Sequence, residues 1–262
     1  MTLPSLTRRL RPVAVVACLL GAGAAATAAP SDAVPRLPRS TVFDGTPRVG
    51  ALFDSPDGSL NGEFCTAAVV DSPGRDLVLT AAHCTVAPGS GKADSDLMFV
   101  PGYVSGRTPY GRWRVRRAVV DSRWSRDGDP DYDVAFLTTV PLDGTDRVQD
   151  AVGAEHVGFG RLPSRTRVVS VGYPWHTRRP VYCRNRLRRH GGSQLEFDCP
   201  GMPRGTSGSP LLTGVDATGS GPGTAVGVIG GYQAGGATDD ISYSPYFGPG
   251  IAAVYRAATA QG

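Results

Sequence analysis

Lysine is almost missing from this chain. It occurs once, at Lys92, so the 27 basic residues are nearly all arginine. Against 23 acidic residues they leave a formal net charge of only +4. A surplus that small, drawn from one residue type throughout, reads as the habit of a GC-rich genome and not as a nucleic-acid signature. Long apolar runs are also missing. Beyond the first thirty residues nothing approaches the roughly 20 apolar residues of a membrane-spanning helix, so no membrane association is expected after the leader is removed. No Cys-x-x-Cys pair is present, which argues against a zinc site built from cysteines. No metal and no cofactor are expected. There is no internal repeat. Glycine (35) and proline (22) are abundant and 40% of the residues are apolar, a balance that suits a turn-rich all-β protein better than a helical one.

The first twenty-nine residues read as a secretory signal peptide. Arg8, Arg9 and Arg11 form its basic start, residues 13–20 its apolar centre, and residues 26–29 offer small side chains for cleavage. Arg8-Arg9 fits a twin-arginine signal poorly. Val15-Val16-Ala17-Cys18 resembles a lipidation box, but the apolar run continues past Cys18, which argues against lipidation. A secreted, extracellular protein follows. Losing the leader removes Cys18 and leaves Cys65, Cys84, Cys183 and Cys199, an even set that allows three pairings. Neighbouring pairs are expected, Cys65 with Cys84 and Cys183 with Cys199, each contributing on the order of 3 kcal/mol. Residues 30–41, rich in proline and arginine, read either as a short propeptide or as an extended arm.

Strand-like runs then alternate with turn signals. They fall at residues 65–70, 77–80, 97–100, 113–120 and 134–137, and, after a polar connector at 141–150, at 166–172, 181–186, 194–198, 210–213 and 225–230. At the end Ile251, Val254, Tyr255 and Ala258 stand at helical spacing.

Three short motifs carry chemistry. Thr80-Ala81-Ala82-His83-Cys84 comes first, Asp133-Val134-Ala135-Phe136-Leu137 second, and Gly205-Thr206-Ser207-Gly208-Ser209-Pro210 last. A serine hydroxyl needs an adjacent base to become a nucleophile, imidazole suits that task, and the imidazole needs a carboxylate to fix its tautomer. In these motifs and their order the chain resembles the chymotrypsin-like (trypsin-like) serine proteases, in particular the secreted bacterial branch that includes the glutamyl endopeptidases. The resemblance spans about residues 42 to 257, although only the motifs match closely. It implies two antiparallel Greek-key β-barrels, one over residues 42–140 and one over 141–262, the second ending in a helix. It also implies His83 as base, Asp133 as its orienter, Ser207 as nucleophile, and the Gly205 and Ser207 amides as an oxyanion hole. It supports the Cys65–Cys84 pairing.

Other features shape the expectation. Thr206 stands where many animal relatives carry an aspartate that pairs with a freshly cut N-terminus. Threonine cannot make that ion pair, so forms starting at Pro30 or near Val42 are both expected to be active. The resemblance places the substrate pocket at Gly201, with walls at Gly230, Gly231 and Tyr232. Gly201 lacks the aspartate of trypsin-like pockets and Ile229 lacks the histidine of glutamyl endopeptidases, leaving an uncharged pocket. Asp239 or Asp240 could reach it from behind. Asp127, Asp129 and Asp131 precede Asp133, and as a calcium site they supply too few oxygens on their own. Arg178, Arg179, Arg184, Arg186, Arg188 and Arg189 crowd into twelve residues, a pattern that is usually a solvated face. The resulting reading is a secreted, cofactor-free serine endopeptidase, monomeric, acting on proteins or peptides. Its rivals are a silent binding module that uses the arginine-rich strand, and an esterase.

Overall fold

The computed structural model describes residues 37–262 apart from residues 92, 95, 161–164, 176, 216–220 and 261–262. The leader and the first part of the arm lie outside the described residues. The first strand, β1 (Thr41–Val42), is followed by β2 (Val49–Asp54), β3 (Glu63–Val69), β4 (Leu77–Thr80), β5 (Leu97–Pro101), β6 (Trp113–Val120) and β7 (Ala135–Pro141). Strands β2 to β7 close into an antiparallel barrel in the order β2-β3-β4-β7-β6-β5. Strand β6 shows how the sequence fits this wall. Trp113 and Val115 point inward while Arg116 and Arg117 are both exposed. A register shift against β7 between Val115 and Arg117 resets the alternation, so Val119 returns to the core. A one-residue slip without that bulge would turn the rest of the strand inside out.

The second half contains β8 (His156–Val157), β9 (Arg167–Gly172), β10 (Val181–Arg186), β11 (Arg188–His190), β12 (Gln194–Asp198), β13 (Pro210–Thr213), β14 (Thr224–Val228) and β15 (Ile241–Pro245). They form a six-stranded sheet, β1-β10-β9-β13-β14-β8, and a three-stranded sheet, β11-β12-β15. Two seams join the sheets into the second barrel. The chain turns from β10 to β11 at the fully buried Leu187. On the other side the Val228 amide donates to Ser244 Oγ at 3.0 Å and the Gly230 amide to Tyr243 O at 3.0 Å.

Both chain ends cross over. Strand β1 pairs with β10 of the second half through Thr41–Tyr182 and Val42–Val181. The terminal helix α3 (Pro249–Thr259) lies instead against β6 and β7 of the first barrel. Its start follows from Pro249 at a position where the missing N–H costs nothing. Ile251, Val254 and Ala258 are buried, as their spacing predicts. The Tyr255 ring meets Phe136 edge-on at 5.4 Å, and its hydroxyl donates to Asp71 O at 2.6 Å.

Two short helices escaped the sequence reading: α1 (Ser122–Asp127), capped by the Asp121 side chain, and α2 (Val148–Val152), which interrupts the expected connector. Both are too short to show a periodic face. Strands β2 and β15 were also missed. The two expected disulfides are present, with Cα separations of 6.2 Å for Cys65–Cys84 and 6.5 Å for Cys183–Cys199. Among the described residues no helix is long and apolar enough to cross a membrane.

Phe136 is fully buried where barrel and helix meet. Phe136→Ala should therefore cost about 3–5 kcal/mol of stability. Tyr255→Phe, which removes a single hydrogen bond, should cost about 1 kcal/mol. Denaturant melts of the oxidised protein give both values, and a larger loss for Tyr255→Phe would contradict this account of the helix.

Candidate active site

Strand β4 ends at Thr80, and a single 3-10 turn, Ala82–Cys84, follows it. That turn carries His83 outward while its neighbours Ala82 and Cys84 stay buried. The bridge from Cys84 back to Cys65 ties the turn to β3. On the other side Asp129 caps a second 3-10 turn, Pro130–Tyr132, by accepting the Asp131 amide, and the chain delivers Asp133 immediately after it.

Asp133 is completely buried. An isolated buried carboxylate would be very costly, and three N–H donors compensate this one. Its Oδ1 accepts the His83 backbone amide at 2.8 Å. Its Oδ2 lies 2.7 Å from His83 Nδ1 and accepts the Gly231 amide at 2.7 Å. With Nδ1 directed at the carboxylate, the Nε2 edge of the ring is left toward the cleft. The third donor comes from the second barrel and was not foreseen.

The nucleophile loop is built by the second half and gripped by the first. Gly205 (φ +93°) and Gly208 (φ +82°) lie in the left-handed region. A Cβ at Gly205 would meet the Tyr173 carbonyl and the Trp175 amide, and one at Gly208 would meet Thr66 O and Thr80 Oγ1. Only glycine serves at both positions. Thr66, fully buried on β3, is the grip. Its amide donates to Ser207 O at 2.8 Å, its hydroxyl donates to Gly205 O at 3.0 Å, and the same oxygen accepts the Tyr173 amide at 2.8 Å. The one clue to Thr66 in the sequence is a polar residue in an apolar run, just after Cys65. The Thr206 side chain turns inward and donates to Pro203 O at 2.7 Å. Among the described residues the Gly205 and Ser207 amides meet no protein acceptor, whereas those of Thr206, Gly208 and Ser209 do.

His83 and Ser207 face one cleft of about 640 Å³, with no hydrogen bond between them in this structure. Contacts of that kind are often long without substrate. Residues 202–207 form one wall and residues 233–239 the other, with Ile229 between them and Phe64 and Trp175 at the edge. The wall differs from the expected one, since Gly201, Gly230, Gly231 and Tyr232 do not line it. Gly201 is turned away, its carbonyl accepting Ser40 Oγ. Gly230 and Gly231 are drawn against Asp133, where a Cβ on Gly230 would crowd the carboxylate at 3.0 Å. The Tyr232 ring packs against His190 and Tyr243. Gln233 and Ala234 replace them on the wall, both at φ +53°, a strained setting for residues with a side chain. Asp239 reaches the cleft as an exposed residue and Arg204 lies on the opposite wall. Asp240 does not line it; its carbonyl accepts the Cys199 amide.

The remaining sequence features resolve into separate places. Asp127 is exposed beside Arg126, Asp129 is a helix cap, and Asp131 accepts Gln194 Nε2 at 2.7 Å, so the three do not converge on a cation. Cys65, His83 and Cys84 lie close enough to suggest metal ligation, but the two sulfurs are bonded to each other. The arginine run divides as well. Arg179 pairs with Asp44 at 2.9 Å, Arg188 bridges Glu196 and Asp198, and the Arg178 guanidinium reaches Tyr103. Burial pushes the Asp198 carboxyl up, and the adjacent Glu196 adds to this. Burial also opposes ionisation of Glu196, but hydrogen bonding to Arg188 outweighs it and holds that carboxyl below its ordinary value. Arg184, Arg186 and Arg189 are exposed.

These features define a trypsin-like peptidase. The chain belongs to the trypsin-like peptidase domain family, whose model matches residues 65–220. Among solved structures it is similar to the protease Anisep from Arthrobacter nicotinovorans, at 26% identity and a TM-score of 0.71, over 84% of this chain and 99% of that one. It is equally similar to the thermostable serine protease AL20 from an extremophilic microorganism, at 26% identity and a TM-score of 0.70, over 83% and 99% of the two chains. A Glu endopeptidase shares the fold at 18% identity and a TM-score of 0.63, over 85% and 97%. No curated protein matches the chain in sequence.

Thr66→Val keeps the shape of the side chain but removes the hydroxyl that bridges Gly205 O and the Tyr173 amide. It should cost about 1–3 kcal/mol. It should also slow reaction of Ser207 with a fluorophosphonate, read by gel fluorescence against the wild type.

Proposed function

The protein is a trypsin-like serine endopeptidase. We propose that Ser207, His83 and Asp133 are its catalytic residues and that it works outside the cell through an acyl-enzyme. His83 Nε2 takes the Ser207 proton as Oγ attacks the substrate carbonyl. Asp133 holds the imidazole in the required tautomer and stabilises its cation. The carbonyl oxygen, now negative, enters the space before the Gly205 and Ser207 amides. His83 then protonates the leaving amine, and water repeats the sequence to release the acyl group. The buried Asp133–His83 pair carries this reading, because a retired scaffold has no need of a buried carboxylate aimed at an imidazole beside a cleft. The leader at residues 1–29 and the two disulfides support export to an oxidising compartment. All the proposed groups come from one chain, so a monomer suffices.

A fluorophosphonate should label Ser207 alone, and Ser207→Ala should abolish labelling and casein cleavage with the fold intact. Asp133→Asn should lose about 10⁴ in rate through the wrong tautomer. Asp131→Asn should change little, since asparagine can still accept from Gln194. Turnover of p-nitrophenyl esters without casein cleavage would favour an esterase. No labelling and no turnover of either would favour a binding module.

A further inference from the structure

Behind the cleft wall lies the end of the N-terminal arm. Thr41 and Val42 pair with Tyr182 and Val181, and the Phe43 amide donates to Pro180 O at 3.1 Å. The Phe43 ring meets Tyr182 edge-on at 5.2 Å. One residue earlier, Ser40 reaches a different partner. Its amide donates to Pro200 O at 2.9 Å and its hydroxyl to Gly201 O at 2.5 Å. Pro200 and Gly201 open the segment that becomes the cleft wall and ends at Ser207. Thr66 grips that segment at its far end. At its near end, the Gly201 and Met202 amides both donate to Asp239 O at 3.0 Å.

Ser40 fixes two successive peptide planes between those anchors. One of them belongs to Gly201, at φ +91°, a residue with no side chain of its own to restrict it. The Ser40 hydroxyl stands where a Cβ on Gly201 would have to go. The residue expected to floor the pocket is thus buttressed from behind by the arm.

We propose that Ser40, carried on the strand Thr41–Val42, is a positioning residue that braces the 200–206 segment, so that trimming the chain past Ser40 lowers activity. The proposal rests on the endopeptidase reading. It corrects the expectation that a form starting near Val42 equals one starting at Pro30. Thr206 cannot use a freshly cut terminus. The brace therefore works through an internal serine, and cleavage here switches the enzyme down instead of on.

The test compares oxidised protein starting at Pro30, oxidised protein starting at Phe43, and Ser40→Ala in the longer form. Three readouts are taken: the fluorophosphonate labelling rate of Ser207, kcat and KM on a peptide substrate, and amide hydrogen exchange over residues 200–206. The shorter form should label about tenfold more slowly and lose mainly kcat, and Ser40→Ala about threefold. Exchange over 200–206 should speed up in both, and a synthetic peptide of residues 37–43 added to the shorter form should reverse its losses. Equal labelling and equal exchange in all three proteins would overturn the brace. If the shorter form misfolds, Ser40→Ala decides, since it leaves the strand in place, and unchanged labelling there also overturns it. A longer form that never labels refutes the endopeptidase reading instead, and exchange alone then decides whether the arm orders the segment.

Discussion

One carboxylate organises this molecule. Asp133 has no access to water, and leaving it without donors would cost more than most single contacts in the fold provide. Its three donors come from separated parts of the chain: the backbone and the imidazole of His83, and the amide of Gly231. Satisfying it therefore brings the second barrel against the first at the cleft. The same act orients the imidazole. Stability and chemistry share one set of hydrogen bonds, and a substitution at Asp133 should not be read as purely catalytic without a stability measurement beside it.

The nucleophile loop shows the complementary arrangement. It belongs to the second half by chain order, yet its conformation is held by Thr66 and Thr80 of the first. Glycines at 205 and 208 let the backbone approach those threonines closely and leave two N–H groups pointing away from any protein acceptor. The arm adds a third support through Ser40. Each of these contacts is a modest hydrogen bond. Together they restrain a short segment from both ends and from behind, as a site that must hold its donors ready before substrate arrives requires.

The arginine-rich stretch illustrates a different economy. Read along the chain it looks like a single basic patch. In the fold, the strand alternation of β10 and the turn at Leu187 send its members to different surfaces, and several find carboxylate or phenol partners. The run is mostly spent on structure, which weakens the case for a binding module built upon it.

Local chemistry accounts for what could be read in one dimension. The bounds of β4, β6, β10, β12 and β13 follow from β-branched and aromatic residues between glycine and proline turns. The α3 face follows from the spacing of Ile251, Val254 and Ala258, and the nearest-neighbour disulfides from short hairpins. The candidates His83, Asp133 and Ser207 were legible because each sits in a motif whose flanking residues have their own local job. What stayed hidden depends on contacts between residues far apart. Gly231 as a donor to Asp133, Thr66 as the grip on the loop, Ser40 behind Gly201, and residues 233–239 as the cleft wall are separated by tens to more than a hundred positions from what they touch. No local propensity distinguishes such a residue from its neighbours. Only the packing of one barrel on the other decides which backbone group meets the carboxylate, and only that packing moved the pocket wall away from Gly201, Gly230, Gly231 and Tyr232.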